Sequence, residues 1–205
     1  MYKALMMLTV LCCLVSAPIS ASAAMKSILI VNSNGALSAH QLDVIKSKLE
    51  SLFNLSVQIH ERSMTYGQTY NAGRGKYDSV ALLQVNNLFG DAYANHSFLF
   101  ISEDVYAEPY RYVLAHTSSS FPRTVISTSR LQANIFSKIR GNAYAEDVLL
   151  SRIHKIMMRH IAFLSGLKSE CGVMKPARSP SELDGIPDTY CSSDSNLLKA
   201  YGALK

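Results

Sequence analysis

The stretch Ser27 to Asn32 (SILIVN) restricts the fold more than any other in this chain. Its apolar centre is too short for a core helix and reads as a buried strand. Directly after it, Ser38-Ala39-His40-Gln41 has capping-box spacing ahead of apolar positions at Leu42, Ile45, Leu49 and Leu52. A buried strand feeding an amphipathic helix is the opening of a layered α/β arrangement. Alternation over Leu55-Ser56-Val57-Gln58-Ile59-His60 predicts a half-buried second strand, and Arg62 to Arg74 is polar and turn-prone. Tyr77 to Phe89 reads as helical. Ser97 to Ser102 (SFLFIS) and Thr124 to Ser127 read as third and fourth strands, separated by a loop rich in Tyr, Ser and Pro.

The longest helix is expected from about Tyr144 to Ser165, with Glu146 and Asp147 in its first turn and Gly166 as its stop. Its apolar stripe is Leu149, Ile153, Ile156, Met157, His160, Ile161 and Leu164. From Ser169 onward the chain is rich in Ser, Pro and Gly and loses its periodicity. The expected fold class is α/β (α+β): a mixed sheet of about four strands with packed helices and a short irregular C-terminal part from about residue 167.

Of the 205 residues, Met1 to Ala23 have the form of a signal peptide: Lys3, an apolar run from Ala4 to Val15, and Ala21-Ser22-Ala23. Its removal leaves residues 24–205 as one domain, with no membrane anchor after cleavage, in a secreted or periplasmic protein. Apolar content of 48% with 17% charge excludes a disordered chain. Without Lys3 the net charge is +4, and no Lys/Arg block accompanies it, so nucleic acid is not an expected partner. Cys12 and Cys13 leave with the leader, and Cys171 and Cys191 remain. In an oxidising compartment they are expected to pair, the alternative being two unlinked small core residues.

The glycines around Arg74-Gly75-Lys76-Tyr77 fail as a phosphate loop, because Tyr70 and Tyr77 stand where a glycine and a Ser or Thr are required. No G-x-S-x-G elbow supplies a serine nucleophile. Tyr66, Tyr70, Tyr106, Tyr110 and Tyr112 read as half-buried loop packing, with a groove lining as the alternative.

The segment Arg159-His160-Ile-Ala-Phe163-Leu-Ser-Gly166-Leu167-Lys-Ser169, followed by Cys171-Gly-Val-Met174, resembles the zinc helix and Met-turn of the archaemetzincins, whose pattern is H-E-x-x-H-x-x-G-x-x-H-C and then C-x-M. Arg74-Gly75-Lys76-Tyr77, Ile101-Ser102-Glu103-Asp104-Val105-Tyr106 and Ile126-Ser127-Thr128-Ser129-Arg130-Leu131 resemble further family segments, in the family's order. The resemblance covers about Ile28 to Asp194 and implies a metzincin-like fold. Laid on the motif, Arg159 takes the first histidine's position, His160 the glutamate's, Phe163 the second histidine's and Ser169 the third's. Met174 keeps the Met-turn.

A zinc helix needs two histidines at i and i+4 on one face and a carboxylate beside the metal-bound water. Arginine is a permanent cation and phenylalanine has no lone pair. Zinc lowers the pKa of bound water from about 15.7 to about 7, worth on the order of 12 kcal/mol, which no lone histidine base supplies. His154 and His160 lie about 120° apart around the axis and cannot easily share an ion. His160 reads instead as a satisfied core histidine. The family's second metal site is reduced to Cys171 and Cys191, with Asp194 at its fourth position and Glu170 near its first.

The expectation is therefore a degenerate archaemetzincin-like pseudo-peptidase without catalytic residues, metal or other cofactor, whose cleft binds an unidentified peptide or protein. Arg159 would replace the ion's charge, with Glu170 or Asp104 as its partner. The alternative is a divergent zinc-dependent metallopeptidase with unrecognised ligands.

Overall fold

The computed structural model describes residues 25–85, 88–89, 96–118, 120–132 and 141–205. The expected leader, residues 1–23, lies outside them. Among the described residues eight strands form two sheets: β1 (Ser27–Ser33), β2 (Ser56–Arg62), β5 (His96–Ile101), β7 (Ala115–Thr117) and β8 (Arg123–Ser127) in one, and β3 (Tyr70–Asn71), β4 (Lys76–Asp78) and β6 (Val105–Tyr106) in the other. The larger sheet has the order β2-β1-β5-β8-β7. Its first four strands are parallel and β7 runs antiparallel along the edge. The four strands expected from sequence are thus its parallel part.

Five α-helices are described: α1 (Ala39–Leu52), α2 (Ser79–Gln84), α3 (Asn142–Leu164), α4 (Pro180–Asp184) and α5 (Ser192–Ala200). The Ser38 hydroxyl accepts from the Gln41 amide while the Gln41 side chain accepts from the Ser38 amide, completing the capping box of α1. Just before it, the buried Asn32 side chain bonds both the amide and the carbonyl of Leu37 and fixes the turn from β1. Helix α2 is shorter than the sequence suggests. Lys76–Asp78 pair as a strand, and the Asp78 carboxylate accepts from the amides of Val80 and Ala81, so the helix starts only at Ser79. The C-terminal part is also less irregular than expected, because it contains α4 and α5.

Strand alternation sends residues to two cores. On one face Ile28, Ile30, Phe98, Phe100 and Ile126 pack with Leu42 and Leu49 of α1 and Ile153, Met157 and Ile161 of α3. On the other, Leu29, Val31, Leu99, Ile101 and Val125 meet Tyr66, Leu82 and Val105. Thr117 of the edge strand β7 stands opposite Thr124 near the amino end of β8, and α3 reaches this edge through His160, beside which the site lies. Among the described residues no helix is long and apolar enough to cross a membrane.

Candidate functional site

Helix α3 presents Lys155, Ile156, Arg159 and His160 to a pocket of ≈ 330 Å³, bordered on its other sides by Tyr110, by Tyr112 to Ala115, by Val173, by Lys175 to Arg178 and by Leu183. His160 is fixed from the sheet. Its Nδ1 lies 2.8 Å from the Thr117 hydroxyl, which is 2.9 Å from the Thr124 hydroxyl, which in turn is 2.8 Å from Nε2 of His96. Register explains the middle link, since Thr117 and Thr124 stand directly opposite each other in the β7–β8 ladder. Burial pushes the imidazoles of His160 and His96 down to about 3 and about 4; for His160 the Arg159 charge and the neighbouring His96 and His116 act in the same direction. Both rings are neutral at pH 7.

Arg159 is partly buried, and its guanidinium makes no hydrogen bond or ion pair among the described residues. Burial pulls its pKa below the ordinary value, against the opposing charge of Glu170. The side chain nonetheless stays cationic. Lys155, only 7% exposed, donates to the carbonyls of Leu183 (3.1 Å) and Asp184 (3.4 Å) and so ties α3 to α4. Phe163, one turn beyond Arg159, is 52% exposed.

The other sequence-derived positions divide between this pocket and the frame around it. Ser169 uses its hydroxyl to accept from the Cys171 amide. Glu170 is exposed and acts on Arg159 at a distance. Asp104 is engaged elsewhere: it accepts two bonds from Arg130 and one from Lys76. Burial works against its ionisation, but those two cations outweigh it and hold the carboxyl below its ordinary value. Met174 is buried in the core that α3 shares with the sheet. Cys171 and Cys191 form a disulfide that joins the turn before Met174 to the start of α5. Asp194 is buried in the first turn of α5. Among the tyrosines, Tyr110 and Tyr112 line the pocket, and Tyr66 is buried and donates to Glu103.

Sequence reasoning missed Thr117, Thr124, His96 and Lys155. A polar residue within a buried strand, as at His96 and Thr124, was the available signal.

No family model matches the chain. The archaemetzincin of Archaeoglobus fulgidus is 24% identical over 163 residues, 80% of this chain and 94% of that one. Its crystal structure, complexed with malonate, superposes with a TM-score of 0.65 at 21% identity, covering 83% and 98% of the two chains. The chain is archaemetzincin-like. The archaemetzincin of Methanopyrus kandleri gives a TM-score of 0.68 at 20% identity over 87% of this chain and 96% of that one. A zinc-dependent peptidase from Methanocorpusculum labreanum gives 0.61 at 20% over 84% and 99%.

The zinc that this fold family implies does not fit the residues here. Among the described residues no three His, Cys, Asp or Glu side chains are grouped to hold a metal ion. At the positions singled out by the motif resemblance, Arg159 brings a positive charge, Phe163 no donor atom, and His160 an imidazole whose Nδ1 is taken by Thr117.

Proposed function

We propose that this archaemetzincin-like chain is an exported, non-catalytic binding protein, a pseudo-peptidase in which the cleft is kept and the metal chemistry is lost. The observation that carries the reading is Arg159. A cation lines the pocket on the helix face where a zinc peptidase needs a neutral imidazole. His160 supports it, since a ring held through Nδ1 by Thr117 and kept neutral by burial is placed as a fixed polar wall. The partner is a peptide or protein segment, and the cofactor is none. Secretion or transfer to the periplasm follows from the leader-like residues 1–23 and agrees with a Cys171–Cys191 disulfide.

The reading is tested by calorimetric titration of the mature protein with zinc, paired with hydrolysis of an unstructured protein in the presence of zinc. No stoichiometric zinc heat and no cleavage is the expected result. The same titration on the quadruple variant Arg159→His, His160→Glu, Phe163→His, Ser169→His is expected to gain a zinc heat. Tight zinc binding with cleavage by the unaltered protein would establish the divergent peptidase instead.

A further inference from the structure

The four ionised side chains of the pocket lining are all positive: Lys155, Arg159, Lys175 and Arg178. No Asp or Glu belongs to that lining among the described residues. Three of the four have other work or other surroundings. Lys155 is held by the carbonyls of Leu183 and Asp184, and Lys175 and Arg178 are exposed at the rim. Arg159 differs from them. It is partly buried beside the pocket and pairs with no protein acceptor among the described residues, so its N–H donors remain available to an anion there.

The remaining walls decide which anion. Ile156, Val173 and Leu183 are buried apolar residues that line the pocket beside the cation. His160 reaches the same space, and with Nδ1 committed to Thr117 its Nε2 is the atom left to face a ligand. When the Thr117–Thr124–His96 chain runs with His96 donating, His160 carries its proton on Nε2 and offers it to the pocket. A planar guanidinium fork next to a neutral N–H donor, backed by aliphatic walls, matches a two-oxygen planar anion on an apolar stem.

We propose that this pocket is a carboxylate-binding site, in which Arg159 takes the carboxylate, His160 contributes a neutral donor, and the Ile156–Leu183 side holds an aliphatic stem. The proposal rests on the reading that the site works without metal, and it names the ligand class of that site. A peptide ending in an aliphatic residue and a free branched-chain acid share the required chemistry. The volume of ≈ 330 Å³ lies at the small end of ligand pockets and suits one such residue.

The experiment is calorimetric titration of the chelator-treated mature protein with acetyl-Ala-Leu, with its C-terminal amide, and with 4-methylpentanoate. The two acids are expected to bind, and the amide about tenfold more weakly or worse, because a charge-assisted pair with arginine is lost. Arg159→Gln should weaken the acids by a similar factor, with Arg159→Lys intermediate; thermal unfolding verifies that each variant folds. Peptide acid binding well above 4-methylpentanoate identifies a chain terminus as the ligand, and equal binding identifies a free acid. Equal binding of acid and amide, no binding of either, or an unchanged acid affinity in Arg159→Gln overturns the proposal while leaving the metal-free reading in place. Acid binding that appears only when zinc is restored overturns both.

Discussion

The imidazole of His160 and the hydroxyl of Thr117 lie 2.8 Å apart, which joins the helix position that the motif resemblance sets against a catalytic glutamate to the antiparallel edge strand. A glutamate at that position acts on a metal-bound water and must keep its oxygens available. His160 instead spends one ring nitrogen on the sheet and, through Thr124, shares a hydrogen-bond chain with His96 on the next strand. The cleft wall is thereby braced from behind.

Removing that brace has a measurable cost. His160→Leu is close in volume but leaves the Thr117 hydroxyl with Thr124 as its remaining partner. It should destabilise the fold by about 1–2 kcal/mol in urea unfolding. An unchanged midpoint would show that the link carries no net stability.

The same chain sets a pH dependence. His96 titrates near 4 in the folded protein because burial opposes its charge, against about 6.5 in the unfolded chain. Between those values the unfolded state binds the extra proton, so stability is complete above about 6.5 and is lost as the pH falls toward 4. For His96, which is 1% exposed, the loss reaches about 3 kcal/mol at most. His160 extends it to about 3, and His116 and His154, also lowered chiefly by burial, add to it. Asp104 has a depressed pKa, so its contribution holds above its ordinary value and is lost only at lower pH, outside a pH 7.5 to 4.5 series. Urea unfolding across that series should show stability falling with pH, with a shallower slope in His160→Leu.

Much of this frame was legible in the chain. The SILIVN strand, the Ser38–Gln41 capping box and the stripe along α3 each obey a period or a cap that one sequence displays. Arg159 and His160 were singled out by the motif resemblance and both line the pocket, whereas Phe163, singled out with them, does not. The small sheet was not, because strands of two or three residues are below the length at which alternation can be seen. Nor was the edge strand β7, whose Ala-His-Thr carries no strand pattern. The Thr117–Thr124 link depends on register between strands, which local sequence does not encode.

The segment after α3 is closed by backbone proximity as well as by sulfur. Gly172 has φ +56°, and a Cβ there would stand 2.5 Å from the Thr189 carbonyl oxygen and 3.0 Å from the Cys191 nitrogen. Gly172→Ala should therefore cost about 2–4 kcal/mol by thermal unfolding. Replacing Cys171 and Cys191 with serine should cost about 3 kcal/mol. The two changes relax the same junction, so the combined variant is expected to lose less than their sum. Strict additivity would separate the glycine's role from the disulfide's.

Arg152 fastens the short helix that borders the pocket. It is 8% exposed, grips both oxygens of Asp184 at 2.7 and 2.6 Å, and donates to the Leu131 carbonyl at 2.8 Å. Arg152→Met keeps the aliphatic length but strands the buried Leu131 carbonyl and removes the pair with the exposed Asp184 carboxylate, so a loss of about 1–3 kcal/mol is expected by urea unfolding. A loss below about 0.5 kcal/mol would place α4 outside the cooperative unit.

The central claim is that the cleft works without a metal, and elemental analysis of the untagged mature protein, purified without chelator and then dialysed against zinc, tests it most directly. The account predicts far less than one zinc per chain, removed by brief exposure to chelator. One zinc per chain that survives the chelator would contradict it and would mean that ligands other than Arg159, Phe163 and Ser169 hold the ion.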